Sequence, residues 1–386
     1  MSSSTSLQCP PLSLYIHIPW CVQKCPYCDF NSHGQKQQTL PEAEYISHLL
    51  DDLAKDAPLI GDRPICSIFI GGGTPSLFSA NSIARLLKGV NSRVNLLTNA
   101  EVTMEANPGT IEAQRFADYV AAGVNRISIG IQSFQPSKLK ALGRIHDEKQ
   151  AQNAAQIAKQ VGLNSFNLDL MHGLPKQSLD DALFDLKTAI SQKPPHLSWY
   201  QLTIEPNTQF HSKPPKLPED ELLWDIQEKG DALLQAAGFQ QYEISAYSQK
   251  GQQCQHNLNY WRFGDYLGIG CGAHGKITLP EQSRIIRTVK VKHPKGYMDL
   301  TRSYTYESNT VTPEDLPFEF FMNRFRLIEP CPKQDYLDFT GQSLDEHTSN
   351  NLQAAISKGL LTETLTHWQV TPLGRRYLNT LLETMV

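Results

Sequence analysis

The chain has 386 residues, of which 40% are hydrophobic and 19% are charged, and its formal net charge is −4. This composition predicts one large globular domain with a smaller one, and it excludes a positive field that would draw the chain to nucleic acid or anionic lipid. The sequence has no apolar run of about 18 residues or more and no signal-peptide pattern at its start, so we expect a cytoplasmic protein without a membrane span.

Short β-rich runs alternate with amphipathic helical patterns in the first half of the chain. The predicted strands are Leu14–Ile18, Ser67–Ile70, Val102–Glu105, Arg126–Ile131, Ser165–Leu170 and Ser198–Ile204. One of the helices between them is predicted to begin at Ser178, because Asp181 follows three residues later in a capping-box arrangement. This alternation predicts an α/β fold with a parallel sheet, either doubly wound or closed as a barrel.

The pattern changes toward the C-terminus. Helices are predicted at Phe318–Leu327, Gln334–Phe339 and Leu344–Lys358, followed by a hairpin around Thr362–Thr371 and a last helix at Leu373–Thr384. This order predicts a small winged-helix-like α+β domain, and its excess of acidic residues argues against DNA binding. We therefore divide the chain into a strand–helix domain at 1–245, a connecting segment at 246–310 and a C-terminal domain at 311–386.

Polar residues follow the predicted strands where each strand ends. The first strand leads into a loop with three cysteines, and the second leads into the run Gly71-Gly72-Gly73-Thr74-Pro75. Glu105, Gln132 and Asp169 lie at or near the ends of the next three. Active sites of β/α barrels are built at this edge of the sheet from several strand ends, so we expect these residues to share one site.

The spacing Cys21-x3-Cys25-x2-Cys28 places three thiolates on one short loop. Thiolates favour zinc or iron–sulfur clusters, and both kinds of site ordinarily take four protein ligands. With three cysteines, one iron of a [4Fe–4S] cluster stays open for another ligand. The alternative is a structural zinc site completed by His33 or Cys9.

The glycine run offers a second clue to the ligand. Glycine lets a backbone approach a ligand closely, so Gly71, Gly72 and Gly73 can present carbonyl groups to the ammonium of a chelated amino acid. The alternative is a tight turn between strand and helix. A phosphate-binding loop is excluded, since no Gly-Lys-Ser/Thr follows.

Together the motifs YIHIP, the cysteine triplet, GGGTP, MEANPG, SIGIQSF and LDLMHGLP resemble one family over essentially the whole chain. It is the oxygen-independent coproporphyrinogen III oxidase-like family of the radical S-adenosylmethionine (SAM) superfamily. The resemblance implies a partial (β/α)6 barrel, a C-terminal domain of that family, a [4Fe–4S] cluster and bound SAM.

By motif position, the resemblance also assigns residues to the cofactors. It implies that Cys21, Cys25 and Cys28 hold the cluster. The residues implied for the rest of the cluster and SAM site are Tyr15, Tyr27, Gly72, Gly73, Thr74, Glu105, Gln132, Arg144, Asp169 and Gln201. Glu105 or Asp169 can accept hydrogen bonds from ribose hydroxyls, and Arg144 can bind the SAM carboxylate. Without the family, structural hydrogen bonds or surface positions explain such residues equally well.

Two activities compete within this family. The oxidases are typified by the pattern Cys-x3-Cys-x2-Cys-x-Cys and by a long N-terminal arm. In this sequence Phe30 occupies the position of the fourth cysteine, and fourteen residues precede Tyr15. The sequence instead resembles a heme-chaperone subgroup with the motif His256-Asn-x-x-Tyr260-Trp261. His256 is a candidate heme ligand, and the two aromatic rings offer flat apolar surface; a packed histidine is the alternative.

The chaperone interpretation implies heme as ligand and heme-accepting proteins, such as respiratory enzymes, as partners; a homodimer is also conceivable. The basic run from Arg284 to Lys295 either meets heme propionates or forms a solvated strand face. Cys254 and Cys271 are interpreted as buried cysteines, with ligand contact as the alternative. A heme chaperone, an oxidase and a zinc-stabilised scaffold are thus the hypotheses at this point.

Overall fold

The structure is a computed structural model that describes residues 6–35, 39–110, 113–145, 147–163 and 165–385. The strands of the first part are β1 (Leu12–Ile18), β2 (Trp20–Cys21), β3 (His33–Gly34), β4 (Ile65–Gly72), β5 (Leu96–Ala106), β6 (Arg126–Gln132), β7 (Ser165–His172), β8 (His196–Gln201), β9 (Gln240–Glu243) and β10 (Ala246–Ser248). Its helices are α1 (Glu42–Ile60), α2 (Ala80–Asn91), α3 (Ala113–Ala121), α4 (Pro136–Ala141), α5 (Glu148–Gln160), α6 (Leu179–Ser191), α7 (Gln209–Ser212) and α8 (Asp220–Ala236).

The remaining elements follow in two groups. The first comprises α9 (Gln255–Trp261), β11 (Asp265–Ile269), β12 (His274–Leu279), β13 (Arg284–Lys290), α10 (Pro294–Tyr297) and β14 (Thr305–Thr310). The second comprises α11 (Leu316–Arg324), β15 (Cys331–Pro332), α12 (Lys333–Thr340), α13 (Glu346–Ser357), β16 (Leu361–Glu363), β17 (His367–Val370), α14 (Pro372–Arg376) and α15 (Leu378–Glu383). None of the helices in the described ranges is both long enough and apolar enough to cross a bilayer.

One large sheet organises the molecule, with the strand order β14-β13-β12-β11-β1-β4-β5-β6-β7-β8-β10-β9. Strands β1, β4, β5, β6, β7 and β8 are mutually parallel, and they correspond to the six predicted strands. Helices alternate with these strands along the chain, and α6 begins with the predicted capping box of Ser178 and Asp181. The predicted partial (β/α)6 barrel is therefore confirmed.

Alternation along β1 shows which face of the barrel carries the polar residues. Leu12, Leu14 and Ile16 are buried in the apolar core that includes Leu49 and Leu53 of α1. Successive side chains of a strand point to opposite faces, so the residues between them face the barrel interior. The interior of the barrel is thus lined by polar and aromatic side chains, and the apolar core lies outside the barrel, between the strands and the helices.

The segment between residues 246 and 310 does more than connect two domains. Strand β11 pairs in parallel with β1, in the register Leu12 to Asp265, and β12, β13 and β14 extend the same sheet in antiparallel fashion. The division predicted after residue 245 falls within the β9–β10 hairpin. The sheet of the barrel therefore continues through this segment up to Thr310.

The C-terminal part has its own apolar core around Phe320, Phe321 and Trp368, as the prediction of a small α+β domain requires. Strands β15, β17 and β16 form a three-stranded sheet beside the helices. The prediction of one continuous last helix was wrong, because the chain leaves helical geometry at Tyr377, with φ −114° and ψ 41°. The break lets Leu381 of α15 turn into this core, where it is fully buried.

Candidate functional site

The parallel strands surround a cavity of about 350 Å³ at their carboxyl ends. A cavity of this size is in the range of small-molecule sites. The predicted residues that line it are Cys21, Cys25, Tyr27, Cys28, Gly72, Gly73, Thr74, Glu105, Gln132, Arg144, Asp169 and Gln201. Tyr15 and His256 are not among its lining residues. The structure thus brings together residues that are up to 180 positions apart in the sequence.

The three cysteines predicted to bind the cluster lie on β2 and on the loop that follows it, and all three are free thiols. Cys21 is buried, while Cys25 and Cys28 are partly exposed to the cavity. The Cys28 amide donates to the Cys25 carbonyl over 3.1 Å, which closes a tight turn between them. Burial raises the pKa of the Cys21 and Cys28 thiols, so a bound metal would have to displace their protons.

The two residues considered as a fourth zinc ligand differ in their position. Cys9 lies before β1, at the opposite end of that strand from the cavity, and its thiol is 3.8 Å from the Thr278 carbonyl. His33 closes the cysteine loop, with its Nε2 atom 3.3 Å from the Lys292 carbonyl. Across the described ranges, no three His, Cys, Asp or Glu side chains converge as ligands of a single metal ion. Cys9 is thus too remote to complete a zinc site with the three thiols.

The glycine run at the end of β4 packs against His17 and Trp20, just before the cysteine loop. Gly72 has a φ of +113°, and a Cβ atom there would lie 2.4 Å from the His17 ring. A Cβ atom at Gly73 would lie 2.5 Å from the Trp20 carbonyl oxygen. The Thr74 amide donates to that same carbonyl over 2.7 Å. Only glycine permits this approach, which makes the backbone itself a wall of the cavity.

Two acidic side chains form the floor of the cavity. Glu105 accepts a hydrogen bond from the Gly72 amide at 3.0 Å, and Asp169 accepts from Ser128 at 2.8 Å and from Asn167 at 2.6 Å. Burial, together with the nearby Asp169 charge, raises the pKa of Glu105 to about 7. Burial also raises the pKa of Asp169. A ligand with a positive charge or with hydroxyl donors would relieve this repulsion.

Arg144 and Gln132 close the cavity from the side of β6. Arg144 donates from Nη2 to the Gly130 carbonyl over 2.6 Å, and its Nη1 lies 3.5 Å from the Cys25 sulfur. Its buried Nε has no hydrogen-bond partner among the described residues. Gln132 has a φ of +65° and accepts from the Tyr200 hydroxyl at 2.9 Å. A buried donor without a partner, beside three thiols, suits the carboxylate of a ligand chelated at the cluster.

Tyr15 and His256 lie deeper in the barrel than the cavity. The Tyr15 hydroxyl hydrogen-bonds to Nδ1 of His17 at 2.9 Å. The His256 ring lies 5.1 Å from the Phe69 ring, and its Nδ1 is 3.3 Å from the Ser67 hydroxyl. Burial lowers the pKa of His256 to about 3. Contact between His256 and a ligand in the cavity would require the packing around Phe69 to change.

The basic run is largely engaged within the protein. Arg287 forms an ion pair with Glu319 at 2.6 Å, and Lys290 is fully buried between two aspartates of α1. Lys292, just after β13, is exposed. The interpretation as a solvated strand face is therefore wrong for Lys290, whose charge is paired inside the protein.

Sequence reasoning missed the residues that hold the cysteine loop in place. Burial lowers the pKa of His17 to about 4, so the ring is neutral, and its Nε2 donates to the Asn31 carbonyl at 2.9 Å. The Asn31 amide in turn donates to the carbonyls of Cys271 and Lys292, at 2.9 Å each. The glycines around Cys271 were the available signal, because a Cβ atom at Gly272 would lie 2.1 Å from the Asn31 amide.

Comparison with known proteins identifies the family of the chain. The model of the radical SAM superfamily matches residues 15–188, and the model of the HemN C-terminal domain matches residues 311–377. The heme chaperone HemW of Escherichia coli strain K12 is 60% identical over 97% of this chain and 98% of its own length. The heme chaperone HemW of Bacillus subtilis strain 168 is 34% identical over 90% of this chain and 92% of its own length.

A solved structure shares the fold. Coproporphyrinogen III oxidase (HemN) from Escherichia coli superimposes with a TM-score of 0.83, covering 98% of this chain and 90% of its own, at 23% sequence identity. This likeness confirms the architecture of barrel and C-terminal domain. With relatives of 60% identity along nearly its full length, the chain belongs to the HemW family of the radical SAM superfamily.

Proposed function

We propose that the chain is a heme chaperone, which binds heme and transfers it to acceptor proteins, and that its cavity holds a [4Fe–4S] cluster with SAM. The observation that carries the proposal is that one cavity joins three free thiols, two buried carboxyl groups and a buried arginine nitrogen that has no hydrogen-bond partner within the described ranges, in a chain 60% identical to heme chaperones. These groups match the chemistry of a cluster with one open iron and of an amino-acid ligand with an adenosine.

The side chains divide the binding of the two cofactors between them. Cys21, Cys25 and Cys28 would hold three irons, and when bound the cluster supplies an electron for the sulfonium of SAM. Arg144 would bind the SAM carboxylate through its unpartnered Nε. Glu105 would accept hydrogen bonds from the cationic or hydroxyl donors of SAM. Glu105 is buried close to the Asp169 carboxyl group, and a positively charged partner would offset the repulsion between them.

The cysteine pattern supports the chaperone interpretation over the oxidase interpretation. Phe30 takes the position of the oxidase family's fourth cysteine, and its side chain is 61% exposed. Respiratory enzymes as heme acceptors follow from the family resemblance, and a homodimer and a cytoplasmic location are further parts of this proposal.

Purification without oxygen, followed by iron, sulfide and zinc analysis and a heme titration with and without SAM, tests the proposal. We expect about four irons and four sulfides per chain, a Soret band on adding heme, and loss of the cluster in Cys25→Ser. Because Cys25 is partly exposed, that variant should keep its fold, as circular dichroism would show.

Three results would contradict the proposal. Zinc at one equivalent without sulfide would favour the scaffold. Decarboxylation of coproporphyrinogen at the rate of a control oxidase would favour the enzyme. A protein with its cluster but without any heme binding would remove the chaperone activity.

A further inference from the structure

The outer side of the cysteine loop carries a surface of histidines and lysines that the cavity does not use. We call it the histidine patch, and it consists of His33, His274, His293, Lys24 and Lys292, with Phe30, which also lines the cavity, at its edge. His274, His293 and Lys292 are exposed, and His33 is partly exposed. Lys292 lies close enough to His274 to lower the pKa of that ring, after burial as the larger cause.

Two contacts bring the parts of this patch together. The rings of His33 and His293 are 5.6 Å apart, with their planes at 74°. The Asn31 amide donates to the Lys292 carbonyl over 2.9 Å, so that Phe30 and His293 flank this contact on the two segments. The loop that carries the cysteines and the segment after β13 thus meet under the patch.

The patch also combines an apolar face with positive charge. Phe30 is 61% exposed at the edge of the cavity, so part of its ring is free to contact a ligand. The Lys24 ammonium donates to the Phe30 carbonyl over 2.9 Å, which places a cation beside the backbone of Phe30. Lys292 supplies a second exposed cation next to His293.

We propose that the histidine patch is a heme-binding surface, with His293 as the iron ligand, Phe30 against the macrocycle and Lys24 and Lys292 near the propionates. This inference rests on the proposed function and names the place where the heme binds. A neutral imidazole is a common axial ligand, an aromatic ring suits the apolar macrocycle, and ammonium groups suit carboxylates. The packed ring of His33 orients His293.

An exposed site such as the histidine patch suits a heme carrier better than an enclosed enzyme pocket would. A chaperone must release its heme, and an exposed surface lets an acceptor protein reach the macrocycle. The other candidate ligand, His256, lies within the barrel beneath Phe69 and offers no such access. The patch also adjoins the cysteine loop through Asn31, so occupancy of the cluster site and of the patch can influence each other.

Heme titration of anaerobically reconstituted protein tests this assignment, with the Soret band and the ferric electron paramagnetic resonance spectrum as readouts. For His293→Ala we expect heme binding weakened at least about tenfold, a loss of about 1.4 kcal/mol, with an altered spectrum. His33→Gln keeps a donor for the Lys292 carbonyl and should weaken binding less. His347→Ala, an exposed histidine of the C-terminal domain, is the matched control and should change neither.

The propionate contact is tested with a chemical probe. Heme dimethyl ester lacks the two carboxylates, so wild-type protein should bind it more weakly than heme. Lys292→Gln should lose affinity for heme but not for the ester, since the interaction is already absent there.

The outcomes separate this inference from the proposed function. Wild-type protein that binds heme, with unchanged affinity and spectrum in His293→Ala, would overturn the patch and leave the chaperone standing. Loss of binding only in His256→Ala would likewise move the site to the barrel interior. Wild-type protein that binds no heme would overturn both.

Discussion

The two ends of the barrel interior are made from the same strands, yet they are built in opposite ways. At the carboxyl end, Glu105 and Arg144 border an open cavity, and a buried nitrogen of Arg144 has no partner in the described part of the chain. At the amino end, α9 fills the interior. There Asn259 donates to Ser13 at 2.8 Å, and the hydroxyls of Ser13 and Ser67 hydrogen-bond at 2.7 Å.

This contrast separates groups that are available to bind a ligand from groups that stabilise the fold. Ser67, which meets His256, and Gly71, at the cavity, are four residues apart on β4, or about 13 Å along the strand. His256 belongs to the filled end, where the Glu101 carboxylate accepts from its backbone amide at 3.2 Å. Its motif therefore has a packing role in this structure, whatever further role it plays with heme.

The largest effect that we predict is at the filled end. Asp265 is fully buried and accepts from Lys276 at 3.0 Å and from Arg63 at 2.8 Å. Asp265→Ala leaves the buried Lys276 charge without its carboxylate, so the free energy of unfolding should fall by about 3 to 5 kcal/mol. Urea denaturation measures this loss, and iron and sulfide content after reconstitution should not change.

The matched control for that variant is a surface ion pair. Asp225 lies 3.4 Å from Lys229 on α8, and both side chains are more than half exposed. Asp225→Ala should lower the free energy of unfolding by no more than about 0.5 kcal/mol. Equal losses in the two variants would mean that the amino end does not stabilise the fold as the contrast requires.

The next effect concerns pH at the open end. Burial raises the pKa of Glu105 from 4.5 to about 7, so the unfolded chain loses this proton first and stability falls as the pH rises from about 4.5 to 7. Glu105→Gln removes this cost. Relative to wild type, the ligand-free variant should gain up to about 3 kcal/mol at pH 8, and nothing near pH 4.

A second variant on the same strand sharpens that comparison. Glu101, four residues before Glu105, accepts from the backbone amides of Gln255 and His256. Glu101→Ala leaves those donors without this acceptor, so stability should fall by about 1 to 3 kcal/mol. If Glu105→Gln were destabilising at every pH, Glu105 would have to be counted among the groups that hold the fold.

The open end was predictable from the sequence to a large degree, and the reason is topological. Parallel strands place all their carboxyl ends at one edge, so finding the strands already collects Cys21, Gly72, Glu105 and Asp169 into one site. The hydrogen bonds of the individual site residues were not predictable. Nothing local indicates that the Arg144 Nε lacks a partner, since this depends on the path of the chain after α4.

The filled end shows where local patterns carry too little information. The pairing of β11 with β1 joins residues about 250 positions apart, and no periodicity within either strand specifies it. Outside the barrel interior, toward the other end of the sheet, Lys290 belongs to a basic strand that resembles a solvated face, yet its ammonium lies 2.6 Å from both Asp52 and Asp56 on α1. Both features depend on contacts between distant segments.

The last predicted effect concerns the glycine run, whose backbone forms part of the cavity wall at the open end. Gly72→Ala places a methyl group against the His17 ring, which cannot turn away because both its nitrogens are hydrogen-bonded. Added to the backbone strain at a φ of +113°, this contact should lower the free energy of unfolding by about 1 to 3 kcal/mol and weaken SAM binding about tenfold, as a titration of the reconstituted protein would measure.

Gly162→Ala is the control, because its φ is also positive, at +75°, but a Cβ atom there meets no atom within 4 Å. It should lower stability through backbone strain while leaving SAM affinity unchanged. If the two variants bound SAM equally well, the backbone of the glycine run would be only a turn, and the cavity wall would have to be formed by side chains alone.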